Sequence, residues 1–494
     1  MSAKKDTLNT SAPKGLGWRL FSVSSKLNTQ LFALIILLLL AWQALYGLFE
    51  NEPSTYDFYT FSYGKALLIK LFGFLGLLNW GTDLFNRAFV HRGRVFKWTF
   101  IKRPWTGFLA ILLFWAVCAI LIATDKRLAI FGGAYRYEGI TGYIAYAGIF
   151  LNASIIKDEK YRRILFGFIA VTSALLAGLT LLRELAGVTF LMERNGQTVP
   201  YSSTFLNSNH YGYYICVSLT VTAGLYMMSD KLWGKIVCGV CFGLNAAVLM
   251  FNSTLGAFIA SAVGLVLLFA LYWIRKGFKK AWPALILIAA FALMSVVLNE
   301  HKMLTDFKLF TEQTEDATAA LNSGGTSSGT GSDGTETTDD GQTAIDTFGS
   351  GRGKLWRKTI DVILEHPVIG VGTDNVQHYI GNEIPHNEFL QVAANLGFPG
   401  LAFYLAALVS LFAAYVKNTK KLTDGALIAG IAVIVYCVSA FVGISLPIAA
   451  YQLFLFLGLL NGWFRARDDE KMIAETMEEI KRKQEELSKQ VSGI

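Results

Sequence analysis

The stretch Pro385-His386-Asn387-Glu388-Phe389-Leu390-Gln391 joins a long polar segment to an apolar one. It carries the residue types best suited to moving a proton at a membrane boundary. An imidazole ordinarily titrates near 6.5, so His386 can take or give a proton beside a lipid-linked substrate. Asn387 also stands where a helix N-cap is expected. Nine residues separate this pair from Gly397-Phe398-Pro399-Gly400, and the Gly397/Gly400 spacing predicts the close approach of another helix backbone. Upstream, Gly349-Ser350-Gly351-Arg352-Gly353 sets an arginine among flexible glycines at an expected helix start, a combination that suits a phosphate or pyrophosphate. Arg357 and Lys358 follow and add positive field.

Two further segments offer binding groups. Ala134-Tyr135-Arg136-Tyr137-Glu138-Gly139 brackets an Arg-Glu pair with tyrosines. Such a pair serves a membrane interface structurally, or holds a sugar or an anion. Ser203 to Gly212, with Asn207, Asn209 and His210, offers many hydrogen bonds to a polyhydroxylated ligand. A capped helix start accounts for the same residues. No Asp-x-Asp, phosphate-binding glycine loop or metal-spaced histidine pair occurs in these loops, so no metal or other cofactor is expected. Cys238 and Cys241 form a C-x-x-C with no second pair, and all 5 cysteines lie in apolar runs as small hydrophobes.

The elements that must position these residues are membrane helices. Of 494 residues, 53% are hydrophobic and only 16% charged, against roughly 25% charged in soluble proteins. Apolar runs of about 20 residues recur from Leu31 to Trp463, which predicts an all-α polytopic membrane protein with about twelve transmembrane helices. Nine spans are expected within 29–298. Three more, Glu388–Val416, Ala426–Gly443 and Pro447–Phe464, fall within 388–464. The net charge of +8 comes from short loops on one side of the runs, such as Arg92, Arg94, Lys97 and Lys102, then Lys276, Lys279 and Lys280. That pattern orients the chain and gives no reason to expect nucleic acid as a partner. It puts both termini in the cytoplasm: a tail over 1–28, and a charged helix over 465–494 that could also meet a partner.

One large external loop, 299–387, then faces outward. Its Gly/Ser/Thr/Asp-rich part, 311–347, is expected to be disordered. Its later part, 349–387, carries the chemistry, with an amphipathic helix over Leu355–Leu364 at the membrane surface.

In the order of these motifs, the chain resembles the O-antigen ligase and polymerase superfamily of bacterial envelope glycosyltransferases. Arg136-Tyr137-Glu138-Gly139 is similar to that family's Arg-x-x-Gly segment, and Asn207-Ser208-Asn209 to its Asn-x-Asn segment. Gly351-Arg352 with Trp356, then His366-Pro367-Val368-Ile369-Gly370-Val371-Gly372, resembles its large-loop signature. His386-Asn387 with Gly397-Phe398-Pro399-Gly400 resembles its terminal motif.

The resemblance covers roughly 131–411 and implies a GT-C-like fold in the bacterial cytoplasmic membrane. It implies metal-free transfer of oligosaccharide from undecaprenyl pyrophosphate to a glycan or lipid acceptor, among membrane lipids and envelope-assembly proteins. It also makes Arg352 the leading pyrophosphate ligand and His386 the leading catalytic residue. Arg136, Asn387, Asn207, Asn209 and Arg357 are its further candidates for substrate binding. Many ligases carry Ser-Arg-Gly where this chain has Ser253-Thr254-Leu255-Gly256, which leaves polymerisation as open as ligation. The competing class is a transporter or flippase for lipid-linked glycans. That reading calls for mid-span ionisable residues and related halves; Lys70 alone stands out inside a span, and no internal repeat is visible.

Overall fold

The computed structural model describes residues 35, 38, 58–91, 103–133, 136–187, 200–205, 207–300, 302, 305–309, 311–314, 340–381, 383–443 and 446–492. Among these every regular element is helical and no strand occurs. The main helices are α1 (Phe58–His91), α2 (Pro104–Ala119), α3 (Ile140–Ala153), α4 (Glu159–Ala186), α5 (Ser208–Met228) and α6 (Leu232–Asn252). They continue as α7 (Leu255–Lys276), α8 (Pro283–Val297), α9 (Asp340–Glu365), α10 (Glu388–Asn418), α11 (Asp424–Ala440) and α12 (Pro447–Ser492).

Six stretches among the described residues are long and apolar enough to cross a membrane: those of α1, α4, α6, α7, α10 and α12. The apolar helices α2, α3, α8 and α11 are shorter. The first expected span and the N-terminal tail lie outside the described residues, apart from Ile35 and Leu38.

Helix α5 does not meet the hydropathy needed to stand among the six, and its position explains why. It is buried over most of its length, and its hydroxyls bond back to its own carbonyls: Thr220 to Cys216 at 2.9 Å and Thr222 to Ser218 at 2.7 Å. A helix wrapped by other helices can carry Ser, Thr and Tyr that a lipid-facing helix cannot.

The large loop departs from expectation in two places. Residues 340–347, expected to be disordered, form the first turns of α9, and 311–314 are also helical; 315–339 lie outside the described residues. Gly349 to Gly353 therefore belongs to a helix interior, so Arg352 does not sit at a helix start and gains nothing from a helix N-terminus there. The amphipathic segment is part of α9. Its Thr359, Val362 and Ile363 are buried, while Ile360 and Leu364 are exposed.

Helix α10 is the second correction. Gly397 has φ 70° and ψ −178°, a conformation open to glycine, and Pro399 follows it. Glu388 Oε1 accepts a hydrogen bond from Tyr404 Oη at 2.6 Å. Sixteen residues of straight helix would hold these residues about 24 Å apart. The segment before Gly397 is therefore folded back along the segment after it, and the expected span from Glu388 to Val416 is two helices meeting at an apex.

The apex explains the signature that follows α9. With Gly397 and Pro399 interrupting the helix, carbonyls at 394–396 lose their usual donors. Val371 N and Gly372 N donate to Ala394 O and Asn395 O, each at 2.9 Å, and Phe398 N donates to Pro367 O at 2.8 Å. Trp115 Nε1 reaches Leu396 O at 2.9 Å. A Cβ on Gly397 would lie 2.4 Å from Val368 O, and one on Gly400 would meet Leu396 of its own helix. The glycine spacing thus admits a loop at Gly397, not the second helix that it suggested.

Candidate functional site

The turn that follows Gly372 anchors to the segment between α2 and α3. Thr373 Oγ1 donates to Ala129 O at 2.7 Å, Asn375 Oδ1 accepts from Asp125 N at 2.8 Å, and Asp374 Oδ2 accepts from Gly133 N at 2.5 Å. Arg136 is buried beside it, its Nη1 3.9 Å from Asp374 Oδ1. Burial pushes the Asp374 carboxyl up; Arg136, the Gly133 amide and Lys70 oppose the rise. Lys70 Nζ donates to Phe131 O at 2.8 Å, which ties α1 to this anchored segment.

His386 lies where the folded-back segment of α10 begins. Its φ is 50°, a left-handed value uncommon for a side chain of its size. Burial first, then the charges of Arg352 and Arg136, push its imidazole down to about 4. It is therefore neutral at pH 7 and able to accept a proton. The two guanidinium groups whose charge bears on this imidazole come from α9 and from the segment before α3. His210, buried at the start of α5, is within electrostatic reach as well. Burial also lowers the pKa of Arg352. Arg352 has no carboxylate partner among the described residues.

The asparagines serve as caps. Asn387 Oδ1 accepts from Phe389 N at 3.0 Å and Leu390 N at 3.1 Å. Asn207 Oδ1 accepts from Asn209 N at 2.9 Å and His210 N at 3.3 Å. The cap occupies one oxygen of each side chain, so a ligand at either would meet the remaining amide. Arg357 is five residues beyond Arg352, which puts it about 140° around α9 and off the face that Arg352 occupies. Arg352 and Arg136 thus bear on His386 through their charge, Asn207, Asn209 and Asn387 stand at the two helix starts, and Arg357 lies on another face of α9.

Several residues of the site were not anticipated from their types. Glu388 is buried and also accepts from Tyr436 Oη at 2.9 Å. Glu138 accepts from Gln391 Nε2 at 2.8 Å and Tyr146 Oη at 3.1 Å. Lys65, fully buried on α1, donates to Thr204 O at 2.6 Å and lies 4.3 Å over the Phe205 ring. The available signal was an ionisable residue inside an apolar run; Lys65 and Glu388 each stand at the edge of one.

Among the described residues, no group of three or more His, Cys, Asp or Glu side chains could hold a metal ion. No curated protein matches the chain. Residues 240–405, from within α6 to within α10, match the family described as O-antigen ligase. That stretch contains Arg352, His386 and Asn387, and stops short of Arg136, Asn207 and Asn209. The likeness to the O-antigen ligase family thus covers about a third of the chain, in a protein whose described residues include six helices long and apolar enough to cross a membrane.

Proposed function

We propose that the chain transfers an oligosaccharide from undecaprenyl pyrophosphate to an acceptor hydroxyl at the outer face of the bacterial cytoplasmic membrane, with both termini inside. The observation that carries this reading is a half-buried imidazole in the field of Arg352, an arginine that has no carboxylate partner among the described residues. In this reading the acceptor O–H gives its proton to the His386 imidazole as its oxygen bonds to the anomeric carbon. The bond from that carbon to the pyrophosphate oxygen breaks with both electrons. Arg352, with Arg136 behind it, takes up the developing charge on the leaving pyrophosphate. No metal takes part.

Support comes from electrostatics on both sides of the reaction. A half-buried guanidinium meets a phosphate at lower dielectric than bulk water, where the contact is stronger. An anion bound there also offsets the two charges that depress His386, so donor binding makes the imidazole a stronger base.

The test uses full-length protein in lipid nanodiscs with a polyprenyl-pyrophosphate oligosaccharide. Release of polyprenyl pyrophosphate with formation of a glycoside is the expected result. A ladder formed without added acceptor assigns polymerisation; product only with an added acceptor glycolipid assigns ligation. Movement of the donor across the bilayer with no bond broken would overturn the reading in favour of transport.

A further inference from the structure

We propose that Glu388 is a positioning residue for His386, acting through a buried carboxylate clamp that closes the folded-back start of α10. This rests on the role given to His386 above. Glu388 is 3% exposed, and its two oxygens are held by hydroxyls from different elements. Tyr404 donates to Oε1 at 2.6 Å from beyond the apex, and Tyr436 donates to Oε2 at 2.9 Å from α11. The Tyr436 ring rests on Tyr213 of α5, with centroids 5.3 Å apart. Tyr213 in turn lies in the field of Arg352. One carboxylate therefore ties the segment that begins at His386 to three partners: the second half of α10, α11 and, through the tilted contact of two tyrosine rings, α5 at Tyr213.

The clamp explains an otherwise costly choice. A carboxylate taken into a helical bundle loses hydration and is retained only where its oxygens are satisfied. A glutamate that merely favoured a helix start would face water. Here both oxygens turn inward, two residues after an imidazole held at φ 50°. Such a backbone persists only where its surroundings over-determine it. The Asn387 cap fixes the first amides of the segment, Gln391 fixes its next turn to Glu138, and Glu388 fixes its position against the rest of the bundle.

The groups whose charge bears on the imidazole are Arg352 from α9, Arg136 from the segment before α3, and His210 from α5. Glu388 is not among them, so the clamp works by geometry rather than by field.

That difference makes it testable in full-length protein in nanodiscs, with a polyprenyl-pyrophosphate oligosaccharide as donor. Glu388→Leu should lower kcat by about 10²-fold, as a misplacement near 1 Å does, with the donor KM within about two-fold. Glu388→Gln, which can still bond both hydroxyls, should restore kcat to within a few-fold. Tyr404→Phe/Tyr436→Phe should behave like Glu388→Leu, and it keeps the proposal open to test if the leucine variant does not fold.

A second readout is the acid titration of the His386 imidazole by NMR, assigned by its absence in His386→Gln. The midpoint should rise from about 4 in Glu388→Leu, as the ring leaves its buried place beside Arg352, and stay in Glu388→Gln. Wild-type kcat in Glu388→Leu or in the double tyrosine variant overturns the proposal. So does equal impairment of the leucine and glutamine variants with neither midpoint moved. If the wild type transfers nothing, the catalytic reading fails on its own, and the NMR titration still decides the clamp.

Discussion

The two ends of the helical bundle treat their arginines differently. At the end opposite His386, cations are closed by carboxylates. Arg465 pairs with Asp83, both buried, and Lys157 pairs with Asp469. Arg275 and Lys276 each lie 2.6 Å from Asp424, and Arg103 lies 3.6 Å from Asp468. These pairs tie α1, α2, α7, α11 and α12 together. At the other end Arg136 lies 3.9 Å from Asp374, and the charges of Arg352 and Arg136 bear on the His386 imidazole. One end ties its cations to carboxylates of neighbouring elements; the other sets two cations in the field of a titratable ring.

The comparison can be broken most directly at the imidazole. His386→Ala should lower transfer by about 10²–10⁴-fold, and Arg352→Ala by about 10²–10³-fold. Both should leave membrane abundance unchanged, which immunoblotting of membranes beside a donor-transfer assay checks. The opposite end should respond in the reverse way. Asp83→Ala removes the carboxylate that Arg465 pairs with and should cost roughly 3–5 kcal/mol of stability, read as lost folded protein in detergent, with transfer per folded molecule unchanged.

Gly397→Ala comes next. It combines a left-handed φ with a Cβ 2.4 Å from Val368 O, and should cost about 2 kcal/mol or more. Its diagnostic result is faster amide exchange over 366–372 than over α4.

A pH series sharpens the electrostatic half of the comparison. The folded His386 titrates at about 4, below the roughly 6.5 of an unfolded chain. The fold therefore disfavours the protonated ring. Stability falls as pH drops from about 6.5 towards about 4, and the loss is complete below that. The kcat/KM of the free enzyme should hold through mildly acid pH and fall with a midpoint near about 4. Arg352→Gln removes a depressing charge, so its His386 midpoint should move upward by NMR; an unmoved midpoint would separate the two side chains. The smallest expected effect is Asn207→Ala, which loses a cap worth about 1 kcal/mol, visible as a modest drop in thermal midpoint.

Much of the fold was legible in the sequence. Apolar length announces helices because a chain in lipid must satisfy its backbone locally, and α4, α6, α7 and α12 appear where those runs stand. The cap role of Asn387 and Asn207 followed from their place before apolar runs. Longer-range features were not legible. Residues 388–416 read as one span because hydropathy counts apolar residues and does not register that Gly397 reverses the path. The glycines around Arg352 read as a loop because local propensity carries no record of the tertiary packing of α9.

The sequence by itself determined the helices, the caps, and the residue types that can carry a proton or hold an anion. These are properties of neighbouring residues, set by spacing and by hydrogen bonds within a turn or two. Only the tertiary structure decided which carboxylates would meet the buried cations, and that Glu388 would be held by tyrosines sixteen and forty-eight residues away. Those outcomes depend on burial and on partners distant in the chain, and no local pattern encodes either.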